Sequence, residues 1–123
     1  MINITVDGII ELQSKLISTT GGAAGIRDIG LVESALYQID QSFDGTELYP
    51  SLMEKAARLC YCLISNHGFV DGNKRIGIFA MLVYIEINND KLSYTQQELV
   101  DLGLGVANGN LKYEDVLKWV LNH

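Results

Sequence analysis

The nine residues His67-Gly68-Phe69-Val70-Asp71-Gly72-Asn73-Lys74-Arg75 join two stretches that both carry the 3.6-residue apolar spacing of helices. Upstream, Ser51-Leu52-Met53-Glu54 has the form of a capping box, in which hydroxyl and carboxylate each accept from the other residue's backbone amide. It predicts a helix to about Asn66 with Leu52, Ala56, Leu59, Cys60 and Leu63 on the buried side. Downstream, from Asn73 or Lys74 to about Ile87, the side chains Ile76, Ile78, Phe79, Met81, Leu82, Val83 and Ile85 make a segment apolar nearly all round. Such a helix belongs at the centre of a fold. Its unbroken apolar run, Ile76 to Ile85, stops at Glu86 and has about half the roughly 20 residues a bilayer span needs.

Working outward, the rest of the chain also reads as helix. One begins after Thr5, carries Ile9, Leu12, Leu16 and Ile17 on one face, and ends before Gly21-Gly22. A loop from Gly21 to Gly30 leads to a second helix, about Gly30–Gln41, with Asp28 as its N-cap and Leu31, Ala35 and Leu36 inward. Asp44-Gly45, set between Phe43 and Leu48-Tyr49, is turn chemistry and predicts a small hairpin-like flap over Ser42–Tyr49. Thr95-Gln96-Gln97-Glu98 repeats the capping box, and two last helices, about 96–107 and 112–122, are separated by Asn108-Gly109-Asn110. With one proline and no long alternating run, the expected class is all-α: a bundle of about six helices with a small flap, residues 1–123 forming one domain.

Composition narrows the function classes. A 48% apolar, 20% charged chain lies far from the disordered regime. The net charge of -6 argues against binding nucleic acid through phosphate neutralisation. Cys60 and Cys62, two apart on a helix, point away from each other and lack further ligands at metal spacing, so they read as reduced core thiols. Met1 to Asp7 has no basic segment followed by an apolar core, and the expected location is cytoplasmic, with no membrane partner.

The quoted loop gathers a base, an acid, two glycines and two cations. Gly72-Asn73 at a helix start exposes free amides at the positive end of the dipole, which suits a phosphate. Lys74 and Arg75 oppose that dipole, a cost that an anionic ligand would offset. Asp71 offers the hard oxygen that Mg²⁺ prefers when phosphates complete its shell. His67 carries an imidazole, the commonest general base, and could take a proton from a hydroxyl attacking phosphorus. Each piece has a plainer reading. His67 could merely cap a helix end, Asn73 should be an N-cap in either case, and Phe69 reads as an apolar plug. Arg27 and Asp28 could touch a target or pin the loop; Tyr113 and Trp119 read as terminal packing, Tyr61 and Tyr84 as core edges, and His123 as solvated.

His67-Gly68-Phe69-Val70-Asp71-Gly72-Asn73-Lys74-Arg75 resembles the H-x-F-x-D/E-G/A-N-K/G-R signature of the Fic/Doc (Fido) superfamily. Gly21-Gly22, Gly25-Ile26-Arg27-Asp28, Leu31-Val32-Glu33-Ser34-Ala35-Leu36 and Leu48-Tyr49-Pro50 are similar to its death-on-curing branch. The resemblance implies a Fido-type helical fold, ATP with Mg²⁺ at the loop, and modification of a protein hydroxyl. It implies His67 as base, Asp71 as metal ligand and catalytic residue, Gly72 and Asn73 as an anion hole, Lys74 beside the phosphates, and Arg75 as catalytic phosphate clamp. The flap, Phe43, Asp44, Gly45, Thr46, Glu47, Leu48 and Tyr49, would dock the target or an antitoxin.

Adenylylating members carry glycine where Lys74 stands and a second arginine where this chain has Ile78, so the pattern resembles the kinase form of the death-on-curing branch. That implies a toxin of a toxin–antitoxin pair that moves the γ-phosphate of ATP to a translation factor such as elongation factor Tu. No S/T-x-x-x-E-G/N self-inhibitory motif occurs, which fits restraint by a separate antitoxin. The alternatives are a protein adenylyltransferase and a non-catalytic phosphate-binding module. Gly68, where many relatives have proline, should loosen the loop without removing a chemical group.

Overall fold

The computed structural model describes all 123 residues. Six helices and one short hairpin follow in the order α1 (Val6–Thr20), α2 (Ile29–Ile39), β1 (Ser42–Phe43), β2 (Thr46–Glu47), α3 (Leu52–Asn66), α4 (Asn73–Ile87), α5 (Gln96–Ala107) and α6 (Tyr113–Leu121). The fold is all-α. No helix is long and apolar enough to cross a membrane.

Local chemistry sets the boundaries. Thr5 and Asp28 cap α1 and α2 through their side-chain oxygens. Both expected capping boxes form: Ser51 Oγ accepts from the Glu54 amide and Thr95 Oγ1 from the Glu98 amide, each at 3.2 Å, and both glutamates reciprocate. In the hairpin, Asp44 and Gly45 both have positive φ, the conformation a tight two-residue turn demands. α2 closes at Ile39, two residues short of the expected Gln41, because the Asp40 amide turns back to the Tyr37 and Gln38 carbonyls.

α3 and α4 form an antiparallel pair around which the molecule is organised, and they pack so closely that a Cβ on Gly77 would lie 2.5 Å from Ile64 Cγ1. Each helix faces two apolar clusters. Ala56, Cys60, Ile64, Met81 and Ile85 pack toward α5 and α6, which contribute Leu102, Val106, Val116 and Val120. Leu59, Leu63, Ile76, Ala80 and Tyr84 pack toward α1 and α2, which contribute Ile9, Val32, Ala35 and Ile39. Burying this apolar area at about 25 cal/mol per Å² is what holds the short helices together.

Some side chains differ from expectation. Tyr84 is fully buried rather than at a core edge. His123 is not solvated: its ring stacks on Trp119 with centroids 3.9 Å apart, and Nε2 lies 2.5 Å from the Glu98 carboxylate. Cys60 and Cys62 are buried free thiols, and burial pushes Cys60 up to about 12.

Candidate active site

The loop His67–Gly72 leaves α3 and enters α4 in a few residues, so its geometry follows from two helix ends. α3 stops because His67 adopts the left-handed conformation, φ 53°, ψ 48°. For a residue with a Cβ this conformation costs about 1–2 kcal/mol. It leaves the side chain exposed. Gly72, also left-handed at φ 78°, is the N-cap of α4. It has no side chain to offer, so α4 starts without a side-chain cap, and the amides of Asn73, Lys74 and Arg75 carry no hydrogen bond. Free amides at a helix start form an anion site.

Asn73 is not the N-cap. It is the first helical residue, and its amide closes a double bond with the plug residue: Oδ1 accepts from the Phe69 N–H at 3.1 Å and Nδ2 donates to the Phe69 carbonyl at 3.0 Å. Phe69 is itself 1% exposed. The side chain of Asn73 therefore shapes the loop from within, while its backbone remains at the helix start.

Asp71 stands exposed on the loop, with Oδ1 accepting from the Gly72 amide at 2.8 Å and Oδ2 3.4 Å from the Ala23 amide. Behind it, buried Gln13 of α1 donates to the Asp71 carbonyl at 3.2 Å. Arg75, half-buried, donates from Nη1 to the hydroxyl of Thr20. Neither Lys74 nor Arg75 has a carboxylate partner. Sequence reading missed Gln13 and Thr20. The signal for Gln13 was a polar side chain within the buried stripe Ile9, Gln13, Ile17; none marked Thr20.

His67, Asp71, Gly72, Asn73, Lys74 and Arg75 line one cleft of about 550 Å³, together with Val70 and Ala107. A smaller apolar groove of about 150 Å³ between α4 and α5 continues from Lys74 and Arg75 past Ile78, Phe79 and Leu104. The flap does not line the cleft. Its residues Phe43 to Leu48 are exposed, Phe43 at 76%, and Tyr49 is held against Tyr113 at 5.2 Å.

No group of three or more His, Cys, Asp or Glu side chains comes together, so the chain offers no metal cage of its own. The lone exposed carboxylate of Asp71 fits a magnesium ion that arrives with phosphates and keeps most of its shell from them and from water.

A helix start without a side-chain cap, two cations without carboxylate partners, one carboxylate and one exposed imidazole thus surround a single cleft. Residues 3–85 match the Fic/DOC family, and the chain belongs to that family. Toxin Doc of Mycolicibacterium smegmatis is 38% identical to it over 73 residues, 59% of this chain. The match spans 56% of the relative's length.

Proposed function

We propose that the chain transfers the γ-phosphate of ATP to a hydroxyl of a protein target, a translation factor in the reading that the family resemblance favours. We further propose that it acts as the toxin of a toxin–antitoxin pair. The observation that carries the catalytic reading is the exposed imidazole of His67 on the same cleft as the free amides and cations that open α4. The name of the Mycolicibacterium relative supports the toxin role.

In this reading the amides of Asn73, Lys74 and Arg75 bind phosphate oxygens, and Arg75 exchanges its Thr20 contact for the nucleotide. Asp71 would hold the magnesium, which when bound neutralises phosphate charge. His67 accepts the proton of the target hydroxyl as the new O–P bond forms and the bond to the β-phosphate oxygen breaks, leaving ADP. Catalysis of this kind is chiefly positioning, which suits a short loop between two packed helices. The exposed flap would bind the target as an added strand. An antitoxin segment that folds on binding would restrain the enzyme.

Lys74 in place of glycine and the apolar, 4% exposed Ile78 in place of a second arginine favour γ-phosphate transfer over adenylylation. Reaction with a bacterial extract and ATP labelled at either the α- or γ-phosphate tests this. Label that follows γ supports the kinase, label that follows α means adenylylation, and no transfer at all leaves a binding module.

A further inference from the structure

We propose that Arg27 is the positioning residue for the proposed base: its guanidinium clamps the end of α3 and holds His67 in the left-handed conformation that presents the imidazole to the cleft. The inference rests on the catalytic reading of His67 given above.

His67 is one of three residues with a side chain at positive φ, the others being Asp44 and Asn89 in turns. A residue in that region stays there only when its surroundings over-determine it. α3 supplies nothing of its own for this, because its last turn contains no basic residue to meet the terminal carbonyls. Arg27 supplies the missing cation from forty residues away in sequence: Nε donates to the His67 carbonyl at 2.6 Å and Nη2 to the Asn66 carbonyl at 3.2 Å. Two adjacent carbonyls are met by one planar fork, which an ammonium group cannot reproduce.

The root of the side chain is fixed to the same loop. The amides of Arg27 and Asp28 both donate to the Gly68 carbonyl, at 2.9 and 3.0 Å, and the Val70 amide donates to the Gly25 carbonyl at 3.1 Å. Ile26 pairs antiparallel with Phe69. The segment Gly25–Asp28 therefore runs as a splint along Gly68–Val70, and His67 is held from its own carbonyl and from the next one. Arg27 has no carboxylate partner, so its charge is committed to these carbonyls. These bonds give Arg27 a loop-pinning role.

The test compares Arg27→Met, Arg27→Gln and Arg27→Lys with the parent chain in transfer from γ-labelled ATP to proteins of a bacterial extract. The rate at saturating ATP should fall about 10- to 100-fold in Arg27→Met. The ATP concentration for half-maximal rate should stay within about twofold, and Arg27→Lys and Arg27→Gln should recover intermediate rates. Histidine ring NMR gives a readout independent of catalysis, because the chain has only two histidines. One signal, assigned to His67 by its persistence in His123→Gln, should shift or broaden in Arg27→Met. A parental rate in Arg27→Met or Arg27→Lys, a loss confined to ATP affinity, or an unmoved His67 signal would overturn the proposal. If the parent chain labels nothing yet Arg27→Met moves the His67 ring, the clamp stands and the catalytic reading alone fails.

Discussion

Lys55 Nζ, on a 4% exposed residue of α3, lies 3.2 Å from the Glu47 carboxylate on the second strand of the flap. The same ammonium donates to the Ile39 carbonyl at the end of α2, at 2.8 Å, and to Asp40 at 3.4 Å. All three of its protons are used, and one side chain ties α2, α3 and the flap together. The partners are unequal: Asp40 and Glu47 remain about half exposed while the lysine is enclosed. Removing Glu47 alone leaves two acceptors and should cost under about 1 kcal/mol, as Glu47→Gln. Lys55→Met also strips the Ile39 carbonyl of its donor and should cost about 1–3 kcal/mol. Urea denaturation measures both; equal costs would mean that the flap tie, not the α2 end, dominates.

In the proposed reaction, His67 sets function against stability. His67→Ala should lower transfer about 10²- to 10⁴-fold. His67→Gly should be equally inactive yet more stable by up to about 1 kcal/mol, because glycine adopts φ 53° without a Cβ penalty. Denaturation midpoints of the three chains check the second claim, and labelled ATP the first.

The contact of His123 with Glu98 makes stability depend on pH. The Trp119 carbonyl, with Glu98 adding to it, raises His123 above its ordinary 6.5. The hydrogen bond from His123, with the Thr95 amide, lowers Glu98 below its ordinary 4.5. The histidine contribution is complete below pH 6.5 and lost as pH rises through the raised value. The carboxylate contribution is complete above pH 4.5 and lost as pH falls through the lowered one. The gap in melting temperature between the parent and His123→Gln should therefore be widest between about pH 5 and 6 and close toward alkaline pH. A gap that is flat from pH 5 to 9 would show that the stacking on Trp119, not charge, carries the contact.

Gly68 does more than loosen the loop. A Cβ there would lie 2.8 Å from Val32 Cγ2, and Val32 is 1% exposed. Gly68→Ala should cost about 1–3 kcal/mol through overpacking. In a double-mutant cycle Val32→Ala should return part of it, giving a coupling of about 0.5 kcal/mol or more. Strict additivity would disprove the steric account.

Lys74 is exposed in the first turn of α4 and lines both the cleft and the apolar groove. Lys74→Gly should reduce γ-phosphate transfer and open a measurable adenylylation. It should also cost up to about 1 kcal/mol of helix propensity. Mass analysis of the labelled proteins reads the two products apart.

The helices were legible because their signals are local. The capping boxes at Ser51 and Thr95, the Asp44-Gly45 turn and the apolar period of α4 need no tertiary information. The cleft was also legible, since all its lining residues except Ala107 lie nearly in sequence around one helix junction. What escaped is long-range. Gln13 reaches Asp71 and Thr20 reaches Arg75 across 58 and 55 positions, and nothing in a polar residue on α1 announces its partner. Asn73 was misplaced by one step because a glycine in the left-handed conformation can open a helix without a capping side chain, leaving the asparagine free to bind Phe69. His123 was misjudged because a terminal residue is ordinarily frayed, and only Trp119 and Glu98 in three dimensions hold it.

Because α3 and α4 face both apolar clusters at once, their connecting turn is anchored where the chain has least freedom to drift. The hairpin is tethered chiefly by one lysine and one tyrosine and is otherwise open to water. A lineage with this layout can rewrite the hairpin while the junction of the two central helices stays as it was.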